Sequence, residues 1–204
     1  MLDFSTLTPG EAALYVLALL LAYFIGNISP ATLIAKAAGL DIRKEGSGNP
    51  GTTNVLRVLG KKAAVGTLAI DILKGVAAVW LGRLIGGEAL AVFCGFFAFI
   101  GHVWPVVFHF KGGKGIATAF GVLLAVDPRV GLLCFAVAAL GVAVSRRMSI
   151  GSVGGGIALP FLIFYFDPEF TVIFAVMAFI VVFRHRSNLK RIIRGEEPKL
   201  NFKK

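Results

Sequence analysis

Between residues 12 and 35 the chain carries no Asp, Glu, Lys or Arg. At ~1.5 Å per residue, a helix of that length reaches across a bilayer core of about 30 Å with some tilt. Further apolar segments follow at 63–83, 89–110, 115–126, 130–145, 148–166 and 168–183, and most charges cluster between them. Soluble domains give about a quarter of their residues to charge; here 16% are charged and 57% hydrophobic, with mean hydropathy +0.83. The pattern predicts an all-α integral membrane protein of seven transmembrane helices, forming one domain over residues 1–204. The 115–126 segment is too short for a full crossing, so it is expected to be recessed or preceded by a loop that dips into the membrane.

Charge asymmetry sets the orientation. With seven spans, the loops after spans one, three, five and seven share a side and collect 18 of the 21 basic residues, from Lys36, Arg43 and Lys44 through the run beginning at Arg184. Only Arg83 and Arg129 fall on the other side, with Asp3, Glu11, Glu88, Asp127, Asp167 and Glu169. By the positive-inside rule the N-terminus is outside and the C-terminus cytoplasmic. No Lys or Arg precedes Lys36, so the first span lacks the basic flank of a signal peptide and is expected to stay in the mature protein. Cys94 and Cys134 lie inside apolar segments and read as small hydrophobes. Gly82/Gly86 and Gly151/Gly155 suit close helix packing.

Two loops on the basic side carry a pattern that chemistry can use. Gly46, Gly48 and Gly51 open the backbone of the 46–54 run, while Ser47, Asn49, Thr53 and Asn54 bring neutral polar groups and Arg57 a planar fork of donors. Such runs also make ordinary turns. Lys111-Gly112-Gly113-Lys114-Gly115 is more specific. Its glycines let amide N–H groups approach a ligand, its lysines add charge, and the following helix offers the positive end of its dipole. It is not a Walker A loop, since Phe108 stands where the first Gly belongs and Gly115 replaces the magnesium-holding Ser/Thr. A nucleoside triphosphatase is thereby disfavoured.

Three further clusters are weighed against structural roles. His185 and Asn188 fall one turn apart on a helical continuation of the last span, and His185 could bind phosphate or act as an acid/base. The basic residues from Lys190 onward read as a tail for anionic lipid. Asp71 and Lys74, three apart in the second span, can neutralise each other within one helix, and a structural role is favoured. His109 reads as interfacial and His102 as a hydrogen-bonding support beside the glycine loop. No metal site, cofactor or nucleic-acid partner is expected.

Three blocks, Gly46-Ser47-Gly48-Asn49-x-Gly51-x-Thr53-Asn54-x-x-Arg57, His102-x-x-Pro105 with Phe110-Lys111-Gly112-Gly113-Lys114-Gly115, and His185-Arg186-x-Asn188-x-x-Arg191, resemble those of the acyl-phosphate:glycerol-3-phosphate acyltransferase family (PlsY-type). The resemblance extends over essentially the whole chain. It implies an enzyme of the bacterial inner membrane, facing the cytoplasm, that moves a fatty acyl group from acyl phosphate to the sn-1 hydroxyl of glycerol 3-phosphate. The products are lysophosphatidate and phosphate, in the first acylation of phospholipid synthesis, with no acyl coenzyme A or acyl carrier protein as donor. By motif position Ser47, Arg57, Lys114, His185 and Asn188 correspond to the family's active-site residues. Gly46, Gly48, Asn49, Thr53, Asn54, Lys111, Gly112, Gly113 and Gly115 are expected around substrate phosphate.

Acyl phosphate is a mixed anhydride, so no covalent enzyme intermediate is required. The proton acceptor is open between His185 and a substrate phosphate oxygen, whose second pKa is about 6. The H-x4-D motif of another acyltransferase class is absent, since Val107, Lys114 and Lys190 stand five after the three histidines. The alternative is a transporter of a phosphorylated metabolite, although such sites typically sit near the bilayer midplane between repeats, and no internal repeat is seen.

Overall fold

A computed structural model describes residues 7–200, and every regular element among them is helical. The chain divides into two compact units at Val126–Asp127.

In the first unit, α1 (Pro9–Asn27) starts at a capping box, where Thr8 and Glu11 satisfy each other's backbone N–H groups and Pro9 takes the first helical position. The apolar run then breaks at Ile28–Ser29 and resumes as α2 (Pro30–Ala37), as the Asn27, Ser29 and Pro30 interruption predicts. A short α3 (Thr52–Leu59) follows the first polar loop. Next comes α4 (Lys61–Val103), whose regular geometry fails at Gly86 and Gly87, the latter at φ +71. That value strains any residue with a Cβ. The two arms cover the apolar segments expected as the second and third spans, and they fold back on each other with Gly82 against Ala91 and Gly95 against Val79. α5 (Ile116–Val126) packs on the first arm, and α1 packs on the second where Gly26 meets Ala98 and Gly101 meets Tyr23.

Burial inverts the pattern of a soluble domain. The interior holds small residues such as Ala18, Ala22, Ala78, Cys94 and Ala98, while Leu17, Leu21 and Phe24 of α1 face outward. Lipid solvates large apolar side chains, so contacts between spans are left to small residues that let backbones approach.

The second unit contains α6 (Pro128–Ser145), α7 (Met148–Phe166), α8 (Thr171–Arg184) and α9 (Arg186–Ile193). Asp127 caps α6 by accepting from the Arg129 amide, and Pro128 takes the first helical position. Gly151 of α7 sits against the Ala138 carbonyl of α6, and Gly155 against that of Cys134, so the expected glycine face is the packing face. Across the described residues, four helical stretches are long and apolar enough to cross a membrane, or five when the bent α8–α9 pair counts as one span.

Two boundaries differ from the sequence reading. The third span was expected to run to residue 110, but its helix ends at Val103. Pro105 bars the α conformation at Trp104, and Tyr23 fastens the resulting turn, donating from Oη to the Trp104 carbonyl and accepting from the Val106 amide. The last span was expected to continue straight through Asn188, but α8 and α9 meet at a 51° bend centred on His185.

Candidate active site

The first polar loop is organised from within by one buried side chain. Asn54, on the first turn of α3, donates from Nδ2 to the Ile42 and Glu45 carbonyls at 3.3 and 3.0 Å, and its Oδ1 accepts the Ser47 amide at 2.8 Å. Gly46, at φ +57, lies so close to Asn54 that a Cβ would collide with Oδ1. Asn54 was expected among the groups offered to phosphate. It is turned inward and 1% exposed instead, because three backbone groups of the loop need partners that only a side-chain amide supplies together. Ser47 and Arg57 are left exposed, and Gly48, Asn49 and Thr53 half-buried.

The second loop is anchored on α4. The Gly113 amide donates to the His102 carbonyl at 3.1 Å, so this N–H is committed to the fold and not offered outward as expected. Gly112 packs where any Cβ would strike the His102 carbonyl, and Gly113 where a Cβ would strike the His102 ring. Gly115, at φ +84 and pressed on Phe99, gives its carbonyl to the Ala119 amide and so opens α5. The positive end of that helix lies directly after Lys114. His109, expected at the membrane interface, is exposed.

One residue that the sequence reading passed over joins the two loops. Arg43 donates from Nη2 to the Lys111 carbonyl at 3.1 Å, and its guanidinium lies 5.1 Å from the centre of the Phe108 ring. The loop carrying Ser47 is thus tied to the loop carrying Lys111 and Lys114. Nothing in the sequence marks Arg43 beyond its place three residues before Gly46.

His185 and Asn188 are placed in the second unit. His185 is 2% exposed, with Nδ1 2.8 Å from the Val181 carbonyl. A carbonyl only accepts, so Nδ1 carries a proton. Asn188 donates from Nδ2 to Glu197 Oε1 at 2.6 Å. Glu197, also missed from sequence, collects in addition the Ser149 hydroxyl at 2.8 Å and Arg191 Nε at 2.7 Å, while Arg147 holds its carbonyl oxygen. Burial pushes the Glu197 carboxyl up, but the bonds from Asn188, Ser149 and Arg191, with the Arg191 charge, outweigh it and hold the pKa below the usual value. A glutamate in a basic tail reads as solvated, and only the folded chain shows it 6% exposed.

Helices with outward apolar faces, joined by glycine turns that carry cations, define a multi-pass membrane protein. The glycerol-3-phosphate acyltransferase family model matches residues 16–195. A glycerol-3-phosphate acyltransferase of Clostridioides difficile (strain 630) is 43% identical over 200 residues, covering 93% of this chain and 97% of that protein. One from Thermoanaerobacter sp. (strain X514) is 42% identical over 191 residues, covering 92% and 96%. Among solved structures, PlsY, an integral membrane glycerol 3-phosphate acyltransferase, in its glycerol 3-phosphate form superposes with TM-score 0.88 at 35% identity over 92% of this chain and 96% of that one. Its lysophosphatidic acid form gives 0.85 at 34%, covering 92% and 95%. The chain belongs to the glycerol-3-phosphate acyltransferase family. Membership supports acyl transfer over transport of a phosphorylated metabolite.

Proposed function

We propose that the chain takes a fatty acyl group from acyl phosphate, without acyl coenzyme A or acyl carrier protein, and esterifies the sn-1 hydroxyl of glycerol 3-phosphate. The observation that carries the reading is the pair of glycine loops in the first unit, tied through Arg43 and Lys111 and carrying Ser47, Arg57 and Lys114. Two anionic substrates must be held close together for acyl transfer. Arg57 and Lys114 offset their repulsion and stabilise the charge that grows on the carbonyl oxygen. Ser47, Gly46, Gly48, Asn49 and Thr53 in one loop, and Lys111, Gly112, Gly113 and Gly115 in the other, surround the phosphates, and Asn54 acts by shaping its loop. His185 and Asn188 complete the catalytic set.

The hydroxyl oxygen attacks the acyl carbon and the bond from that carbon to the phosphate oxygen breaks. The hydroxyl proton passes to a phosphate oxygen or to His185 Nε2. The products are 1-acyl-glycerol 3-phosphate and phosphate, with the donor's activation consumed in one step and no cofactor needed.

The same reading makes residues 1–204 one functional domain of the bacterial inner membrane, and the family model's span across both units supports it. It counts seven spans, namely α1 with α2, each arm of α4, α5, α6, α7 and α8. The N-terminus is outside, and the loops of Arg57 and Lys114 and the C-terminus are cytoplasmic, a topology supported by the 18 of 21 basic residues on that side.

The test is donor dependence. Purified protein in lipid nanodiscs receives glycerol 3-phosphate with palmitoyl phosphate, palmitoyl coenzyme A or palmitoyl acyl carrier protein. Lysophosphatidate is expected from the first alone, and comparable rates with either thioester would overturn the donor assignment.

A further inference from the structure

Deep in the first unit, the Asp71–Lys74 pair does more than neutralise itself. Lys74 Nζ lies 2.7 Å from Asp71 Oδ1, 2.7 Å from the Ile28 carbonyl oxygen and 2.7 Å from His102 Nδ1. An ammonium has three N–H donors and no lone pair. Asp71 Oδ1 pairs with it by charge, while the Ile28 carbonyl and His102 Nδ1 each take one of its hydrogens, so His102 Nδ1 is the lone-pair nitrogen. Asp71 Oδ1 is 3.3 Å from the same Nδ1 and would draw a proton onto it were the lysine absent. With the ammonium in place, the ring proton sits on Nε2.

That nitrogen faces the glycine loop. A Cβ at Gly113 would run into His102 Nε2, and the Gly113 amide is bonded to the carbonyl of the same histidine. The loop therefore rests on His102 through its backbone and meets an N–H from its ring. The opposite tautomer would turn a lone pair toward a loop meant for an anion. Packing alone does not call for this arrangement. Two buried charges are costly to desolvate, and apolar residues of similar volume often replace such pairs without loss. The break between α1 and α2, moreover, leaves the Ile28 carbonyl to take the lysine's second hydrogen.

We propose that Asp71 and Lys74 hold His102 as its Nε2–H tautomer, and that His102 is thereby a positioning residue that sets the Gly112–Gly113–Lys114 loop for substrate phosphate. The kinetic consequence rests on the acyltransferase reading; the tautomer does not. The side-chain amide nitrogen of Gln falls near the position of Nε2, whereas Asn reaches only the position of Nδ1, where its Oδ1 can accept from Lys74 but no N–H reaches the loop.

The experiment uses the full chain in nanodiscs, with histidine labelled with 15N on both ring nitrogens. The spectrum of His102→Gln identifies the His102 signals by difference among the three histidines. At neutral pH, His102 is expected to carry hydrogen on Nε2 only, and His185, bonded to the Val181 carbonyl, on Nδ1. His102→Gln is expected to keep kcat/KM for glycerol 3-phosphate within about threefold of the parent, and His102→Asn to lose about tenfold, the scale of one hydrogen bond. Lys74→Met, where it folds, is expected to move the proton to Nδ1 and to raise KM.

A proton on Nδ1 of His102 in the parent, or equal losses in the Gln and Asn variants of equal melting temperature, overturns the proposal. A parent with the expected tautomer but no acyl transfer removes the enzymatic reading and leaves the tautomer assignment standing.

Discussion

Asn54→Ala is the sharpest single perturbation of the first loop. The substitution removes hydrogen bonds of 3.3, 3.0 and 2.8 Å to three backbone groups of residues 42–47, in a side chain 1% exposed. At a net ~1 kcal/mol each, the closed loop loses about 3 kcal/mol relative to open forms. Every 1.4 kcal/mol is tenfold, so the competent loop falls in population by up to about 100-fold where its closed form was only marginally favoured. The apolar contacts of Ile42 and Val55 with Ala31, Ala35 and Ala64 are untouched by the substitution, so the bundle itself should be little affected. The expected result is a fall in kcat/KM for glycerol 3-phosphate of between about 10-fold and 100-fold, with the melting temperature in detergent nearly unchanged. Asn54→Asp separates shape from polarity. It can still accept from the Ser47 amide, but it cannot donate to Ile42 and Glu45 and it sets a negative charge beside their carbonyl oxygens. It should be at least as impaired as the alanine variant. Activity within about twofold of the parent in both would show that the loop does not depend on this anchor, since even one lost bond predicts more.

Arg57→Ala and Lys114→Ala should each cut kcat/KM by at least about tenfold to 100-fold in protein that still inserts and purifies, since one charge-assisted contact contributes about 1.5–3 kcal/mol; steady-state kinetics on both checks it, and near-normal values refute their roles. Glu197 has a folded pKa below its unfolded value, so the stability it contributes is present above the ordinary glutamate pKa of about 4.3 and is lost as pH falls through the lower folded value. Glu197→Gln should therefore be less stable at neutral pH and show a shallower acid-side decline in melting temperature, and matching curves for the two proteins would contradict this. Cysteines placed singly at the exposed positions 44 and 111, with Cys94 and Cys134 removed, should resist an impermeant thiol reagent outside whole cells, and labelling at 111 would reverse the proposed topology. Enzyme incubated with radiolabelled acyl phosphate alone and then denatured should keep no label; hydroxylamine-sensitive label abolished by Ser47→Ala would require an acyl-enzyme.

The apolar helices were legible because lipid imposes a local rule: a run without charge needs no knowledge of its partner. The glycine loops were legible for a related reason, since glycine, lysine and small polar residues in sequence describe a backbone shape and a charge together. What escaped was pairing over distance. Arg43 meets Lys111 sixty-eight positions away, and Lys74 meets His102 across twenty-eight. No property of either partner alone announces the match. Asn54 illustrates a second limit. An asparagine in a polar loop can serve ligand or backbone equally well, and the choice is made by the three backbone groups that surround it. The bend at His185 is a third. Continuing periodicity from Val181 to Asn188 suggests one helix, but the His185 ring returns to the Val181 carbonyl and the chain turns there.

Under the proposed reaction, an acyl group activated by phosphate passes to a glycerol hydroxyl. This transfer is tested most directly with acyl phosphate carrying 18O in the bridging oxygen, incubated with glycerol 3-phosphate and purified protein. Attack at the acyl carbon is expected to give one lysophosphatidate for each phosphate released, with all the heavy oxygen in the phosphate. Phosphate released without an ester product, or heavy oxygen retained on the acyl group, would contradict it.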